Sequence, residues 1–195
     1  TSATYRQSSA PRKDALAVLT DSQRARFWQI DFQNSRKSGF DSLTFQRADV
    51  EKQLGYTDEQ KQRFLQPMID GRFFGTMALT EPHAGSSLSD IRTRAEPAAD
   101  GTYRLKGNKI FISGGDHDMA ENVVHLVLAR VDGAPPGTKG LSLFVVPKIR
   151  IQEDGTLGQP NDVTVGAIEH KMGINGSCTC VLNFGESDGC VGELV

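Results

Sequence analysis

The sequence is poor in the features that mark several protein classes. Its 195 residues include only 3 cysteines, Cys178, Cys180 and Cys190, which are too few and too clustered for a disulfide framework and predict an intracellular, reduced protein. The longest apolar run, near Leu141–Pro147, is much shorter than the roughly 20 residues of a membrane-spanning helix. The 22 basic and 24 acidic residues give a net charge of −2, which argues against a dedicated nucleic-acid-binding protein.

Glycine is scarce in the first third of the sequence. Of the 20 glycines only Gly39 and Gly55 precede residue 71, so the later part must be richer in turns. The charge changes sign at the same place, because residues 1–70 carry 11 Lys/Arg and 9 Asp/Glu whereas residues 71–195 carry 11 and 15. We therefore predict two regions, a partial helical N-terminal region over 1–71 and a second domain over 72–195.

Local signals in the first region favour helices. Apolar residues cluster at positions 15–19 and 27–30 with spacings that a helix can use. The segment Thr57-Asp-Glu-Gln60 is a capping box, apolar residues at 64, 65, 68 and 69 then share one face, and Gly71 stands where a helix ends. Pro67 weakens this prediction, since proline removes one backbone hydrogen bond from a helix.

From residue 72 onward the apolar residues alternate with a period of two, which predicts strands. The candidate strands span 72–79, 92–96, 102–106, 109–113, 122–131, 140–146, 162–170 and 178–184. Gly107-Asn108 between two of them suggests a tight hairpin. Short strands with brief connections and no crossover helices predict an antiparallel β-barrel or β-sandwich, so the fold class is mainly β with α, the β-domain being preceded by a short helical segment.

Two predicted strand ends combine small residues with hydroxyl groups. The first is Met77-Ala-Leu-Thr-Glu-Pro-His-Ala-Gly-Ser86, in which the proline forces an extended exit and the final three residues form a turn with little side-chain bulk. The second is Phe111-Ile-Ser-Gly-Gly115. The first would let another molecule approach its backbone closely, and the second suits a planar ligand lying against a sheet edge. From composition alone, a loop between strands is the simpler interpretation of the first, and a hairpin suits the second equally well.

Other residues that could carry chemistry give weaker signals. Asp116-His117-Asp118 invites a metal hypothesis, but adjacent loop residues rarely converge on one ion and no Cys–His spacing resembles a zinc site, so we expect no metal. Cys178 and Cys180 alternate onto one strand face, where buried apolar filling is a better explanation than a redox pair. Neither a phosphate-binding glycine loop nor a nucleophile elbow is present.

A series of motifs resembles a known family. The first segment extends to Met-Ala-Leu-Thr-Glu-Pro-His-Ala-Gly-Ser-Ser87, and four further motifs follow in order: Ile91-Arg-Thr-Arg-Ala95, Gly101-Thr-Tyr-Arg-Leu-Lys-Gly-Asn-Lys-Ile-Phe-Ile-Ser-Gly114, Lys139-Gly-Leu-Ser-Leu-Phe-Val-Val-Pro-Lys148 and His170-Lys-Met-Gly-Ile174. Together they resemble the β-barrel middle domain of the flavin-dependent acyl-CoA dehydrogenases. The phrases around residues 115–122 and 134–140 look most like the methylthiopropanoyl-CoA dehydrogenase-like branch. The resemblance covers about 57–195.

The resemblance implies that FAD is bound between the two strand ends. Leu79 and Thr80 would present backbone groups to the pyrimidine edge of the flavin, and the hydroxyl of Ser113 would lie near N5. Ser86 would also approach the pantetheine or thioester part of the substrate. The implied cofactor-binding residues are Met77, Leu79, Thr80, Gly85, Ser86, Phe111, Ile112 and Ser113. The implied reaction is α,β-dehydrogenation of an acyl-CoA thioester, in which a carboxylate takes the α-proton and the β-hydrogen leaves as hydride.

The same resemblance implies partners and exposes departures. It implies an electron-transfer flavoprotein as electron acceptor, a homo-oligomer, and a location in the bacterial cytoplasm or the mitochondrial matrix. The sequence stops at Val195, where the family's helical C-terminal domain with its catalytic glutamate would begin, so we expect a part of a longer protein and assign no catalytic residue. Two alternatives stay open: a non-catalytic β-domain that binds a partner protein, and a DNA-associated flavoprotein relative, against which the charge of −2 counts.

Overall fold

A computed structural model describes residues 55–195. The predictions for the apolar clusters at 15–19 and 27–30 lie outside the described residues. The described chain begins with a helical segment made of α1 (Asp58–Gln60), a π-helical stretch (Lys61–Leu65) and α2 (Gln66–Ile69). Ten strands follow: β1 (Phe73–Ala78), β2 (Arg94–Pro97), β3 (Tyr103–Ser113), β4 (Asn122–Val131), β5 (Leu141–Pro147), β6 (Ile149–Ile151), β7 (Leu157–Pro160), β8 (Val163–Ile168), β9 (Thr179–Phe184) and β10 (Val191–Leu194).

The predicted capping box starts the helical segment. The Gln60 N–H donates to Thr57 Oγ1 and the Thr57 N–H donates to Gln60 Oε1, both at 3.1 Å. The segment ends in a Schellman motif, because Gly71 adopts a φ of +76° and its N–H reaches the Met68 carbonyl at 3.2 Å. Both ends are therefore set by the residues that the sequence singles out.

The middle of the segment departs from a regular α-helix. The π-helical stretch comes immediately before Gln66-Pro67, where a regular helix would lose the proline hydrogen bond and bring its ring against the carbonyl four residues back. A wider π turn relieves that contact. Phe64, only 1% exposed, then packs in a cluster with Tyr56, Phe73, Val124 and Val145. Burial of such a side chain contributes about 1.5–3 kcal/mol, so tertiary packing holds the segment.

Five strands close into a barrel. β4 pairs with β5, β5 with β10, β10 with β3, β3 with β2, and β2 returns to β4. β1 pairs with the first part of β4, along the edge that β2 occupies at its end, while β9 and then β8 extend from β3. The predicted β-barrel is confirmed. The pairing is not purely antiparallel, however, because β1 and β2 both run parallel to β4.

The predicted hairpin at Gly107-Asn108 is wrong, since both residues lie within the continuous strand β3. A Cβ atom added at Gly107 would lie 2.8 Å from the Cα and 2.4 Å from Oγ1 of Thr93. The glycine is therefore required where β2 approaches β3, not for a turn. Glycine by itself does not distinguish the two cases, because a tight turn and a close approach of two backbones both favour it.

Both faces of β4 are buried, which explains its nearly continuous apolar sequence. Val127 and Ala129 point into the barrel core. Val124 packs with the helical segment and Leu128 with the loop that contains Ala84 and Ile91. The short strands β6, β7 and β10 were not predicted from the sequence. No helix within 55–195 is long and apolar enough to cross a membrane.

Candidate functional site

The two strand ends singled out in the sequence lie side by side. The Ile110 N–H of β3 donates to the Thr80 carbonyl at 2.9 Å, just beyond the end of β1. At the other end of the contact, Phe74 of β1 lies against Gly114, where an added Cβ would be 2.5 Å from Phe74 Cε1. The segments therefore run antiparallel to each other, and the structure joins 77–80 and 110–113 in one surface region.

The backbone of the first segment offers hydrogen-bond donors that have no acceptor among residues 55–195. Leu79 and Thr80 lie beyond the last residue of β1, and both are half-buried. Their N–H groups donate to no backbone or side-chain acceptor in the part of the chain that the structure describes. Because unpaired backbone donors are costly when they are withdrawn from water, a pair of them at a strand end is a natural contact for a ligand with acceptor atoms.

A β-bulge turns the second segment outward. Between Lys109 and Ile112 of β3 the register with β9 gains one residue, and Phe111 there adopts a φ of +61°. That conformation is strained for a bulky residue. Its result is that the Phe111 ring is 59% exposed while Ile112, the next residue, is 2% exposed in the core. Bulges of this kind commonly redirect a side chain toward a binding site.

The other predicted site residues differ in how exposed their side chains are. The side chains of Ser86 and Ser113 are exposed and Met77 is half-buried. An added Cβ at Gly85 would meet no atom of residues 55–195 within 4 Å, so packing among these residues does not explain a small residue there. Ile112 can offer only its backbone, since its side chain is in the barrel core.

A buried ion pair lies directly beneath this region. Lys109, fully buried in β3, donates from Nζ to Glu81 Oε1 at 2.9 Å and to the Leu79 carbonyl at 3.0 Å. Glu81, 3% exposed, also accepts from the N–H groups of Arg92 at 2.8 Å and Thr93 at 2.9 Å. The Thr93 hydroxyl adds a further bond at 2.5 Å. Lys109 and Glu81 thus connect β1, the loop after it, β2 and β3.

Both members of this pair have altered acidity. Burial alone would raise the pKa of the Glu81 carboxyl, but the Lys109 ammonium and the hydrogen bonds from Thr93 and Arg92 hold that pKa below its ordinary value. Burial lowers the pKa of Lys109, and Glu81 opposes that effect. Glu81 is therefore an ionised, occupied carboxylate rather than a free base.

The sequence motifs do not predict this pair. Glu81-Pro82 is typical of a loop exit, and no motif assigns a role to Lys109. A signal was available, because Lys109 falls on the same inward alternation of β3 as Leu105. A charged residue at an inward strand position needs a buried partner, but the sequence does not say which carboxylate supplies it.

The residues considered for a metal are arranged differently. Asp116 forms an ion pair with Lys148, and His117 Nδ1 accepts from the Met119 N–H at 3.2 Å. Among residues 55–195 no group of three or more His, Cys, Asp or Glu is gathered as a metal site would require. A shallow cavity of about 460 Å³ lies beside them, lined by Asp116, His117, Asp118, Lys148, Val165, Ile168 and Cys180.

The three cysteines are free thiols. Cys180 and Cys190 belong to the barrel core, and Cys178 packs against it, as the interpretation of buried apolar filling predicts. Burial raises the pKa of the Cys180 thiol, and it raises the pKa of Cys190 to about 12. Neither is a reactive thiolate.

The sequence of this chain matches a known protein family. Residues 76–186, more than half of the chain, match the family described as "Acyl-CoA dehydrogenase, middle domain". The chain therefore belongs to the acyl-CoA dehydrogenase family. The match begins within β1 and ends just after β9, so both segments of the candidate site fall inside this acyl-CoA dehydrogenase domain.

Individual acyl-CoA dehydrogenases are also similar in sequence to this chain. A butyryl-CoA dehydrogenase of Syntrophomonas wolfei is 51% identical over 140 residues, which are 71% of this chain and 23% of that protein. A 3-methylmercaptopropionyl-CoA dehydrogenase of Ruegeria pomeroyi is 51% identical over 138 residues, 70% of this chain and 24% of that protein. The matched part of this chain thus spans about a quarter of these curated relatives.

A solved structure gives the same fold assignment. The crystal structure of an acyl-CoA dehydrogenase complexed with FAD from Bacillus anthracis has a TM-score of 0.52 and 30% identity, and the match covers 71% of this chain and 21% of that one. FAD is typical of the acyl-CoA dehydrogenase family to which this chain belongs.

Proposed function

We propose that this chain supplies the flavin-facing β-barrel of an FAD-dependent dehydrogenase that acts on acyl-CoA thioesters. The observation that carries this proposal is the contact between the two strand ends, made by the hydrogen bond from the Ile110 N–H to the Thr80 carbonyl. The contact brings the exposed Phe111 ring close to the N–H groups of Leu79 and Thr80, which have no acceptor within residues 55–195, and this supports a flat, acceptor-rich ligand.

The residues of this region fit an isoalloxazine ring. The N–H groups of Leu79 and Thr80 lack acceptors within the described chain, and the pyrimidine edge of a flavin carries carbonyl and ring-nitrogen acceptors. Phe111 has a φ of +61° and its ring is exposed beside these donors. Gly85 leaves space that no described atom fills. These features support FAD as the cofactor.

Each residue then has a proposed role. Leu79 and Thr80 would donate to the pyrimidine edge, and each such bond to a charged acceptor would be worth about 1.5–3 kcal/mol in favour of the reduced flavin. The Ser113 hydroxyl would lie near N5, with Met77, Phe111 and the backbone of Ile112 bordering the ring. Ser86, exposed in the loop, would contact the pantetheine or thioester part of the substrate.

When bound, FAD supplies the hydride acceptor for α,β-dehydrogenation. This chain's own residues would bind and orient the ring and exclude water from one of its faces. The α-proton must be taken by a carboxylate within hydrogen-bond reach of it. Glu81 does not meet that requirement, because it is buried and already accepts from Lys109, Thr93 and Arg92. We therefore assign no catalytic base to these residues.

The substrate class and the partners are part of the same proposal. The relatives' names, butyryl-CoA and 3-methylmercaptopropionyl-CoA dehydrogenase, support a short or thioether-containing acyl chain. An electron-transfer flavoprotein would accept the electrons and the protein would form a homo-oligomer. Its location would be the bacterial cytoplasm or the mitochondrial matrix.

The proposal is tested on the full-length product of the gene that encodes this chain. We expect the purified protein to be yellow with bound FAD and to be bleached anaerobically by a short acyl-CoA. A protein that folds and binds no added FAD would contradict the proposed cofactor. A flavoprotein whose spectrum does not change with short or long acyl-CoA would contradict the dehydrogenase reaction.

A single substitution tests where the ring lies. We expect Ser113→Ala to weaken FAD binding or shift the flavin reduction potential, because a hydroxyl donor near N5 is lost. Ser187→Ala is the matched control, since Ser187 is also exposed but lies beyond the opposite end of β9. Equal behaviour of both variants and the wild type in FAD titration and potentiometry would show that the ring is placed wrongly.

A further inference from the structure

The Lys109–Glu81 pair is more elaborate than packing requires. Replacing a buried ion pair by apolar residues is often neutral or stabilising, so retention of one calls for a reason other than stability. Here the Lys109 ammonium has a hydrogen-bond partner in addition to Glu81. It also donates to the carbonyl of Leu79 at 3.0 Å, which is the residue before Thr80 in the candidate flavin site.

That contact acts on one particular peptide group. The carbonyl of Leu79 and the N–H of Thr80 belong to the same planar unit, so holding the oxygen fixes the direction of the N–H. An ammonium at the oxygen also draws electron density from the unit and makes the N–H a stronger donor. The Ile110 N–H fixes the next carbonyl, that of Thr80, at 2.9 Å.

Glu81 fixes the ammonium in turn. Its carboxylate is held by Lys109 on one side and by the backbone N–H groups of Arg92 and Thr93 on the other. Because Glu81 is held from both sides, the ammonium that it binds is kept beside the Leu79 carbonyl. Lys109 is 0% exposed, so its side chain acts on a flavin only through the peptide that it holds.

We propose that Lys109, fixed by Glu81, is a positioning residue that orients and polarises the Leu79–Thr80 peptide toward the flavin. This inference rests on the proposed function and adds a role for two residues that do not touch the ring. It predicts that loss of the ammonium weakens FAD binding and destabilises the reduced flavin, even when the barrel remains folded.

The experiment compares two variants of the full-length protein. Glu81→Gln removes the charge that supports the Lys109 ammonium, so we expect a neutral amine that still donates to the Leu79 carbonyl, whereas the double variant Glu81→Gln/Lys109→Met removes the donor; neither variant leaves an unpaired buried charge. We expect the double variant to bind FAD about tenfold more weakly than Glu81→Gln and to have a lower reduction potential. Lys106→Met, on the exposed face of β3, is the control and should match the wild type in both measurements.

A readout without flavin separates this inference from the proposed function. In amide spectra of the flavin-free protein, the Thr80 proton should resonate further upfield in the double variant than in Glu81→Gln, because the polarising donor is gone. If the double variant does not fold, Lys109→Arg retains both charges with altered donor geometry and should still weaken FAD binding.

The outcomes decide between the two proposals. Equal FAD affinity, potential and Thr80 resonance in Glu81→Gln and the double variant would overturn the role of Lys109 and leave the proposed function intact. So would a folded Lys109→Arg variant that matches the wild type, where that variant has to be used. A wild-type protein that binds no FAD would overturn the proposed function and this inference together.

Discussion

Two polar centres are buried beside β1, and they are stabilised in different ways. In the first, Lys109 and Glu81 are both charged, and Glu81 accepts from Lys109, Arg92 and Thr93. In the second, Thr76 Oγ1 and His125 Nδ1 lie 2.7 Å apart, and His125 Nε2 has no partner within residues 55–195. Burial lowers the pKa of His125 to about 3, with Asp116 opposing part of that effect, so the imidazole is neutral.

The difference shows what each kind of group demands from a core. Buried charges are tolerated only when paired and well hydrogen-bonded, because their desolvation costs several kcal/mol each. A neutral imidazole can leave one nitrogen unpaired at a smaller cost, about 1–3 kcal/mol. The charged centre therefore fixes the geometry of several segments, whereas the neutral centre mainly fills space against Phe184.

Breaking the charged centre on one side should have the largest effect on stability. We expect Lys109→Met to lower the free energy of unfolding by about 3–5 kcal/mol, because the Glu81 charge is left buried without its partner. Urea denaturation measures it. Lys106→Met breaks an exposed pair with Asp188 on the same strand and should change stability by about 0.5 kcal/mol or less. Similar losses in both variants would contradict a special role for the buried pair.

As the pH falls, the two centres should lose their contributions to stability in different pH ranges. His125 has a lowered pKa in the folded protein and an ordinary value of 6.5 when unfolded, so the unfolded state binds an extra proton below pH 6.5. Stability is then lost as the pH falls from 6.5 towards 3, by at most about 1.4 kcal/mol per pH unit. The pKa of Glu81 is lowered from 4.5, so its contribution is lost only below that pH.

The window between pH 6.5 and 5 therefore reports on His125. We expect the double variant Thr76→Val/His125→Leu to lose less stability across this window than the wild type, as measured by urea denaturation at each pH. The other histidines are common to both proteins and cancel in the comparison. Parallel pH profiles would show that His125 is not buried as a neutral group.

Removing one hydroxyl from the neutral centre should have the smallest effect of the three. We expect Thr76→Val to cost about 1–2 kcal/mol, because His125 Nδ1 loses its partner while the side-chain volume is kept. Thr164→Val is the matched control, since Thr164 is exposed on β8 and its hydroxyl donates to the exposed Glu186. A loss as large as that of Lys109→Met would remove the distinction between the two centres.

Local sequence signals predicted local structure well. The capping box at Thr57 and Gln60, the C-terminal Gly71 and the long strand β4 were all expected from patterns within a few residues. Gly107 was misinterpreted because its reason, the approach of Thr93, comes from a residue 14 positions away. Strand β10 was missed because Val191–Leu194 is short and its middle residue Gly192 weakens the pattern.

The candidate site also contains residues that the sequence predicts and residues that it does not. The residues that face the surface, among them Thr80, Ser86 and Ser113, could be named from small and hydroxyl-bearing motifs and from the family resemblance. The pair beneath them could not be named, because Glu81 and Lys109 are separated by 28 positions and either could have had another partner. Their pairing follows only from the fold, which brings the segment after β1 next to β3.

The sequence by itself determined the family, the mostly β composition and the ends of the helical segment, because motifs, alternation and capping act over short distances along the chain. Only the tertiary structure decided which strands pair to close the barrel, that the bulge at Phe111 turns its ring outward, and that Lys109 holds the Leu79 carbonyl. Those features depend on which distant segments share one core, and burial makes the choice because a charge removed from water must find its partner there.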